Sequence, residues 1–77
     1  MDEFIITEKD AISWKAALID EFATAQSMSL EDVVRIFNEY RILEYLDRNI
    51  DILIGRTPQY LVNDISKRIG MPKPVYA

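Results

Sequence analysis

Apolar residues recur at helical spacing along most of the chain. Trp14, Leu18 and Phe22 stand four apart, and Ile12, Ala16, Ile19 and Ala23 form a neighbouring row. The two rows predict a helix over residues 8–26 with a broad apolar face, packed between two partners. Thr7 with Asp10 three positions later reads as a capping box at its start, and Glu8 sits near the positive helix end. After a short link, Ser29 marks a second helix start, with Asp32 three positions on as in a capping box. Met28 and Val33 fall at the N′ and N4 positions of a hydrophobic staple. The helix predicted from there covers residues 30–40, with Val33, Phe37 and Tyr40 on its face.

The apolar phase then shifts. On a straight helix Leu43, Leu46, Ile50 and Leu53 would centre roughly 120° away from Val33, Phe37 and Tyr40. The same helix would carry Glu44 and Asp47 beside the first face. Either the chain bends near residues 39–42, which makes 42–53 a third helix, or it wraps around the core. No glycine or proline marks the bend. Gly55 is expected to close the third helix as a left-handed cap. Thr57 and Pro58 read as the N-cap and N1 of a fourth helix over 58–69. Leu61, Val62, Ile65 and Ile69 form its stripe, with Gln59, Asn63, Lys67 and Arg68 facing outward. Gly70 ends it, and Pro72 and Pro74 prevent its resumption. Residues 1–7 are read as an arm, in which Phe4-Ile5-Ile6 is too short a run for periodicity to classify. Residues 71–77 are read as an extended tail. The expected fold is all-α: a small four-helix bundle, with residues 1–77 as one domain.

Charge adds a polarity to this picture. The chain of 77 residues has a net charge of −4. Through residue 54, Lys9, Lys15, Arg35, Arg41 and Arg48 face a much larger set of acids. Beyond it, Arg56, Lys67, Arg68 and Lys73 oppose Asp64 alone. Such a balance suits a solvated surface, or an acidic body that docks on a basic partner. No run approaches the ~20 apolar residues of a membrane span. The acidic first residues, Met1-Asp2-Glu3, differ from the basic start of a secretory signal. The expected location is the cytoplasm, with no membrane partner.

The residue inventory argues against catalysis. There is no cysteine and no histidine, which removes thiolate chemistry and the usual neutral-pH base. Ser13, Ser27, Ser29, Ser66, Thr7, Thr24 and Thr57 lack such a base, and Ser29 and Thr57 are already assigned as caps. Glu44, Asp47 and Asp51 could converge to hold a divalent cation, but a solvated acidic face accounts for them more simply. The two glycines, Gly55 and Gly70, lie at helix ends and form no phosphate-binding loop. The expectation is a protein that is not an enzyme and has no catalytic residue, metal site or cofactor.

Binding remains. Tyrosines are enriched at interfaces, and Phe4-Ile5-Ile6, Ile42, Ile52 and Ile54 fall off the main stripes. A bundle this small cannot easily hide them all. The expectation is a protein-interaction module whose candidate contact residues are Tyr45, Ile52, Ile54 and Tyr60, bound either to another protein or to a second copy. The alternative is nucleic-acid binding through Arg56, Lys67, Arg68 and Lys73. Four charges are few for that role, and the acidic third helix would repel phosphates.

From Ile12 to about Lys67 the chain resembles a family of short bacterial helical proteins of unknown function. The resemblance rests on Met28-Ser29, on Phe37-Asn38-Glu39-Tyr40 with Leu43-Glu44-Tyr45-Leu46, and on Tyr60-Leu61-Val62-Asn63-Asp64-Ile65 after a threonine turn. Two positions depart from the family pattern. Arg41 stands where a glycine usually follows the second helix, and Arg56 stands where a histidine is common. The resemblance implies genes placed beside ADP-ribosyltransferase-like toxin genes, and hence an antitoxin-like role with the neighbouring gene product as partner. It supplies no catalytic or binding residue.

Overall fold

The computed structural model describes residues 6–74, which form five helices: α1 (Glu8–Gln26), α2 (Leu30–Glu39), α3 (Ile42–Arg48), α4 (Ile50–Leu53) and α5 (Pro58–Ile69). The expected arm falls mostly outside these residues, as does the end of the expected tail; Ile6 and Thr7 are non-helical, and so are residues 71–74. A three-residue link folds α2 back against α1. α5 packs on another side of α1, and α3 touches both α1 and α2.

Every helix contributes to one core. Leu18, Phe22 and Ala23 come from α1, Val33 and Phe37 from α2, Ile42 and Leu46 from α3, and Leu53 from α4. Leu61, Val62, Ile65 and Ile69 come from α5. The rings of Phe22 and Phe37 meet edge to face at 5.2 Å, the arrangement their quadrupoles prefer. Ser66 is the buried polar residue of this centre. Its hydroxyl accepts a hydrogen bond from Gln26 Nε2 at 2.9 Å, and the same amide donates to the Pro72 carbonyl at 2.9 Å. One side chain thus ties the end of α1 to α5 and to the segment after it.

The helix starts follow their expected chemistry. Thr7 and Asp10 complete a reciprocal capping box. Ser29 Oγ accepts from the Asp32 backbone N–H at 3.1 Å, and Thr57 Oγ1 accepts from that of Tyr60 at 3.1 Å. Asp32 makes no return bond to Ser29; its Oδ1 accepts instead from Arg35 at 2.8 Å.

The breaks differ more from expectation. The bend between the second and third helices is present, made by Arg41 in the left-handed conformation at φ 54°. That conformation costs an L-residue roughly 1–2 kcal/mol and suits glycine, the residue usual at this point in the resembled family. Ser27 closes α1 in the same conformation at φ 55°, and Gly70 closes α5 at φ 76°. Gly55, expected to be a left-handed cap, is not among the residues with positive φ.

The third predicted helix is also two helices rather than one, so the four-helix count is corrected to five. Asn49 Nδ2 donates to the Tyr45 carbonyl at 2.9 Å, alongside its own backbone N–H, which donates to the same oxygen at 3.2 Å. Asn49 itself leaves helical geometry at φ −117°. The breaks re-aim several side chains. Ile42, expected off the core, is buried, while Tyr40, expected on the core face, is half exposed as the non-helical cap of α2. Spacing expects Ile12 and Ala16 in an inward row, yet both are exposed, because α2 covers that row only toward Ile19 and Ala23. Asn63, expected to face outward, is half-buried with its Oδ1 unpartnered.

Candidate interaction surface

The side formed by α3 and α5 is closed by polar contacts. Tyr45 Oη donates to Asp64 Oδ2 at 2.7 Å, and Arg68 Nε donates to the same oxygen at 3.3 Å. The Arg68 guanidinium also lies over the Tyr45 ring, 3.7 Å from its centre, a cation–π contact. Burial and the bond to Asp64 push the Tyr45 phenol above its ordinary pKa. Burial alone would lower that of Arg68, but Asp64 and Tyr45 together hold it above its ordinary value. These three side chains satisfy one another.

The structure disperses the candidate contact residues. Tyr45 belongs to this closed cluster. Ile52 is exposed, at 60% of its full area. Ile54 is half-buried and lines a hollow of about 180 Å³ with Trp14, Leu18, Arg56 and Pro58. Tyr60 is exposed beneath the Arg56 guanidinium, 5.5 Å from its ring centre. The basic residues are divided as well. Arg68 is committed to Asp64 and Tyr45, whereas Arg56 is exposed over the Tyr60 ring. Lys67 and Lys73 share a groove of about 250 Å³ with Tyr60, Asn63 and the acidic Asp64.

The acidic candidates separate too. Asp47 is bound by Lys15 at 2.8 Å, and Glu44 faces Arg41 at 3.9 Å. Among the described residues no three acidic side chains come together as cation ligands. No helix among them is long and apolar enough to cross a membrane.

The α1–α2 side is different. Leu30 and Val34 are exposed there, and Ile12 is exposed on α1. A shallow groove of about 510 Å³ runs between the helices, lined by Ala16, Ala17, Ile19, Asp20, Leu30 and Val34. Sequence reasoning missed this face because it assigned the row of Ile12 and Ala16 to the core. The available signal was the small size of Ala16 and Ala17 between two polar residues, Ser13 and Asp20.

Five short helices on one core, with a polar-locked side and an open apolar side, define a small all-helical domain. The chain belongs to a family described as protein of unknown function (DUF3791), which matches residues 14–70. The matched span contains every core residue from Leu18 to Ile69. No curated protein and no solved structure matches the chain.

Proposed function

We propose that this protein is a non-catalytic, cytoplasmic interaction module that binds a protein partner through the α1–α2 face. The observation that carries the reading is the pair of exposed Leu30 and Val34 over one groove floored by alanines, with Ile12 exposed further along the same helix as those alanines. Apolar side chains gathered on one face of a small domain are a common mark of a binding surface. The candidates Ile52 and Tyr60 lie on other helices and would extend such a surface only with a large partner. The resemblance to short bacterial proteins encoded beside ADP-ribosyltransferase-like toxins supports an antitoxin-like role, in which the partner is either the neighbouring gene product or a second copy of the chain.

The test is co-expression with that product, followed by co-purification of wild type and of Val34→Asp. The reading expects a complex that the substitution weakens while the circular dichroism of the domain is retained. A complex indifferent to Val34→Asp, or none at all with either this product or a second copy of the chain, would sink it. The nucleic-acid alternative loses support from the pairing of Arg68 with Asp64 and from Asp64 beside Lys67 and Lys73. Random duplex DNA at low salt should remain unshifted.

A further inference from the structure

The outward stripe of α1 has an internal symmetry. Lys9, Ile12, Ser13, Ala16, Ala17 and Asp20 all lie on its exposed side. Taken from the midpoint between Trp14 and Lys15, they fall into pairs at equal distances: Ser13 with Ala16, Ile12 with Ala17, and Lys9 with Asp20. A helix set antiparallel to a copy of itself about a two-fold axis at that midpoint brings these pairs to the same level, with Lys9 and Asp20 directly opposite. The small central pair lets the helix axes approach to about 8 Å. Each isoleucine then lies at an edge of the seam, beside Ala16 of the other chain.

The ends of the stripe carry opposite charge, about 16 Å apart along the helix. Each Lys9 therefore faces the other chain's Asp20, twice per dimer. Within the chain, the four ion pairs among the described residues involve neither Lys9 nor Asp20. Leu30 and Val34 of α2 flank the stripe and extend the apolar area.

We infer that the occupant of this face is a second copy of the chain, in an isologous antiparallel α1–α1 dimer registered by two Lys9–Asp20 pairs. Such a dimer is self-complementary, as two-fold symmetry requires. It would also add buried area to a chain whose own core is small. The inference rests on the reading of the α1–α2 face as a binding surface and names its partner.

Charge exchange tests both the partner and the register. Sedimentation of the full chain from about 1 to 200 µM measures the dissociation constant of the dimer. In Lys9→Glu both facing pairs become acid against acid; in Asp20→Lys both become base against base. Each variant alone should dimerise at least roughly tenfold more weakly than wild type. Mixed in equal amounts, they restore two opposite-charge pairs per heterodimer, so association should return toward the wild-type level. Ala16→Glu, at an exposed position with helix propensity retained, should abolish the dimer with little change in circular dichroism.

A wild-type chain that stays monomeric over the whole range overturns the inference. So does a dimer that all three variants leave intact, or a mixture that associates no better than its components. A monomer that still binds the neighbouring gene product, and loses it in Val34→Asp, leaves the interaction-module reading standing and overturns only the second copy as the occupant.

Discussion

The two sides of this molecule use polar and apolar groups in opposite ways. On the α3–α5 side, Tyr45, Asp64 and Arg68 are half-buried or exposed, yet they are tied together by bonds of 2.7 and 3.3 Å and a stacked guanidinium. On the α1–α2 side, large aliphatic groups stand in solvent over a floor of alanines. The first arrangement spends its side chains on one another and lends stability to the fold. The second leaves its apolar area unmatched, and that area can contribute free energy only when another surface covers it. Exposure alone does not separate the two sides. What separates them is whether a side chain already has a partner within the chain.

The contrast presupposes a core that holds both sides in place, and the largest expected effect is there. Phe37 is fully buried against Phe22. Phe37→Ala should cost about 3–5 kcal/mol. A domain of this size is stable by about 4–11 kcal/mol, so the variant should be largely unfolded or melt far below wild type in a thermal scan. A loss under about 1 kcal/mol would mean that the helices can collapse onto the vacancy, and then neither side has a fixed geometry to compare.

The polar lock gives the next effect. Tyr45→Phe keeps the ring beneath Arg68 but removes the hydrogen bond to Asp64, and should cost about 1 kcal/mol in urea unfolding at neutral pH. The alkaline limb gives the sign of the linkage. The folded pKa of Tyr45 is raised above its unfolded value by burial and Asp64. Its contribution is therefore fully present below the ordinary tyrosine value of ~10 and is lost as pH rises through the higher folded value. Stability of Tyr45→Phe should fall less steeply over that range than that of wild type. Parallel curves would remove the lock from the comparison.

The ends and the buried stripe of α5 were legible in the sequence; the Tyr45–Asp64–Arg68 cluster and the geometry of the breaks were not. α5 carries its start in Thr57-Pro58 and its stop in Gly70, and all its stripe residues are buried. The bend at Arg41 could be inferred from a phase shift, but not its conformation, because arginine has no preference for positive φ that a sequence could display. Asn49 breaks the third predicted helix by leaving helical geometry at φ −117° while its side chain bonds the Tyr45 carbonyl, and asparagines in helices do not always do so. The open face was misread for a related reason. Spacing places Ile12 and Ala16 on one row with Ile19 and Ala23, but only the packing of α2 decides how far along the row the cover extends. The α1–α2 groove could not be seen until the helices were set beside one another.

Strain at the bend provides a change of opposite sign. Arg41→Gly relieves the left-handed penalty at the cost of a freer unfolded chain, and should stabilise the protein by about 0.5–1 kcal/mol. For a domain this small that raises the melting midpoint by roughly 2–8 °C. The ion pair to Glu44 that it removes is exposed at 3.9 Å and contributes little. A lower midpoint would mean that Arg41 supports α3 by some route other than backbone geometry.

The smallest expected change in stability falls on the open side and sets the limit of the contrast. Leu30 is 53% exposed at the first position of α2. Leu30→Glu introduces a good helix former where the helix dipole favours an acid. The midpoint in urea should stay within about 0.5 kcal/mol of wild type when measured at a dilution where the chain is monomeric. At high concentration, where a partner copy covers the face, the same substitution should weaken association. A stability loss at high dilution as large as that of Tyr45→Phe would show that Leu30 already has its partner inside the chain. In that case the α1–α2 side would be a thin edge of the core, and the distinction between the two sides would be one of degree.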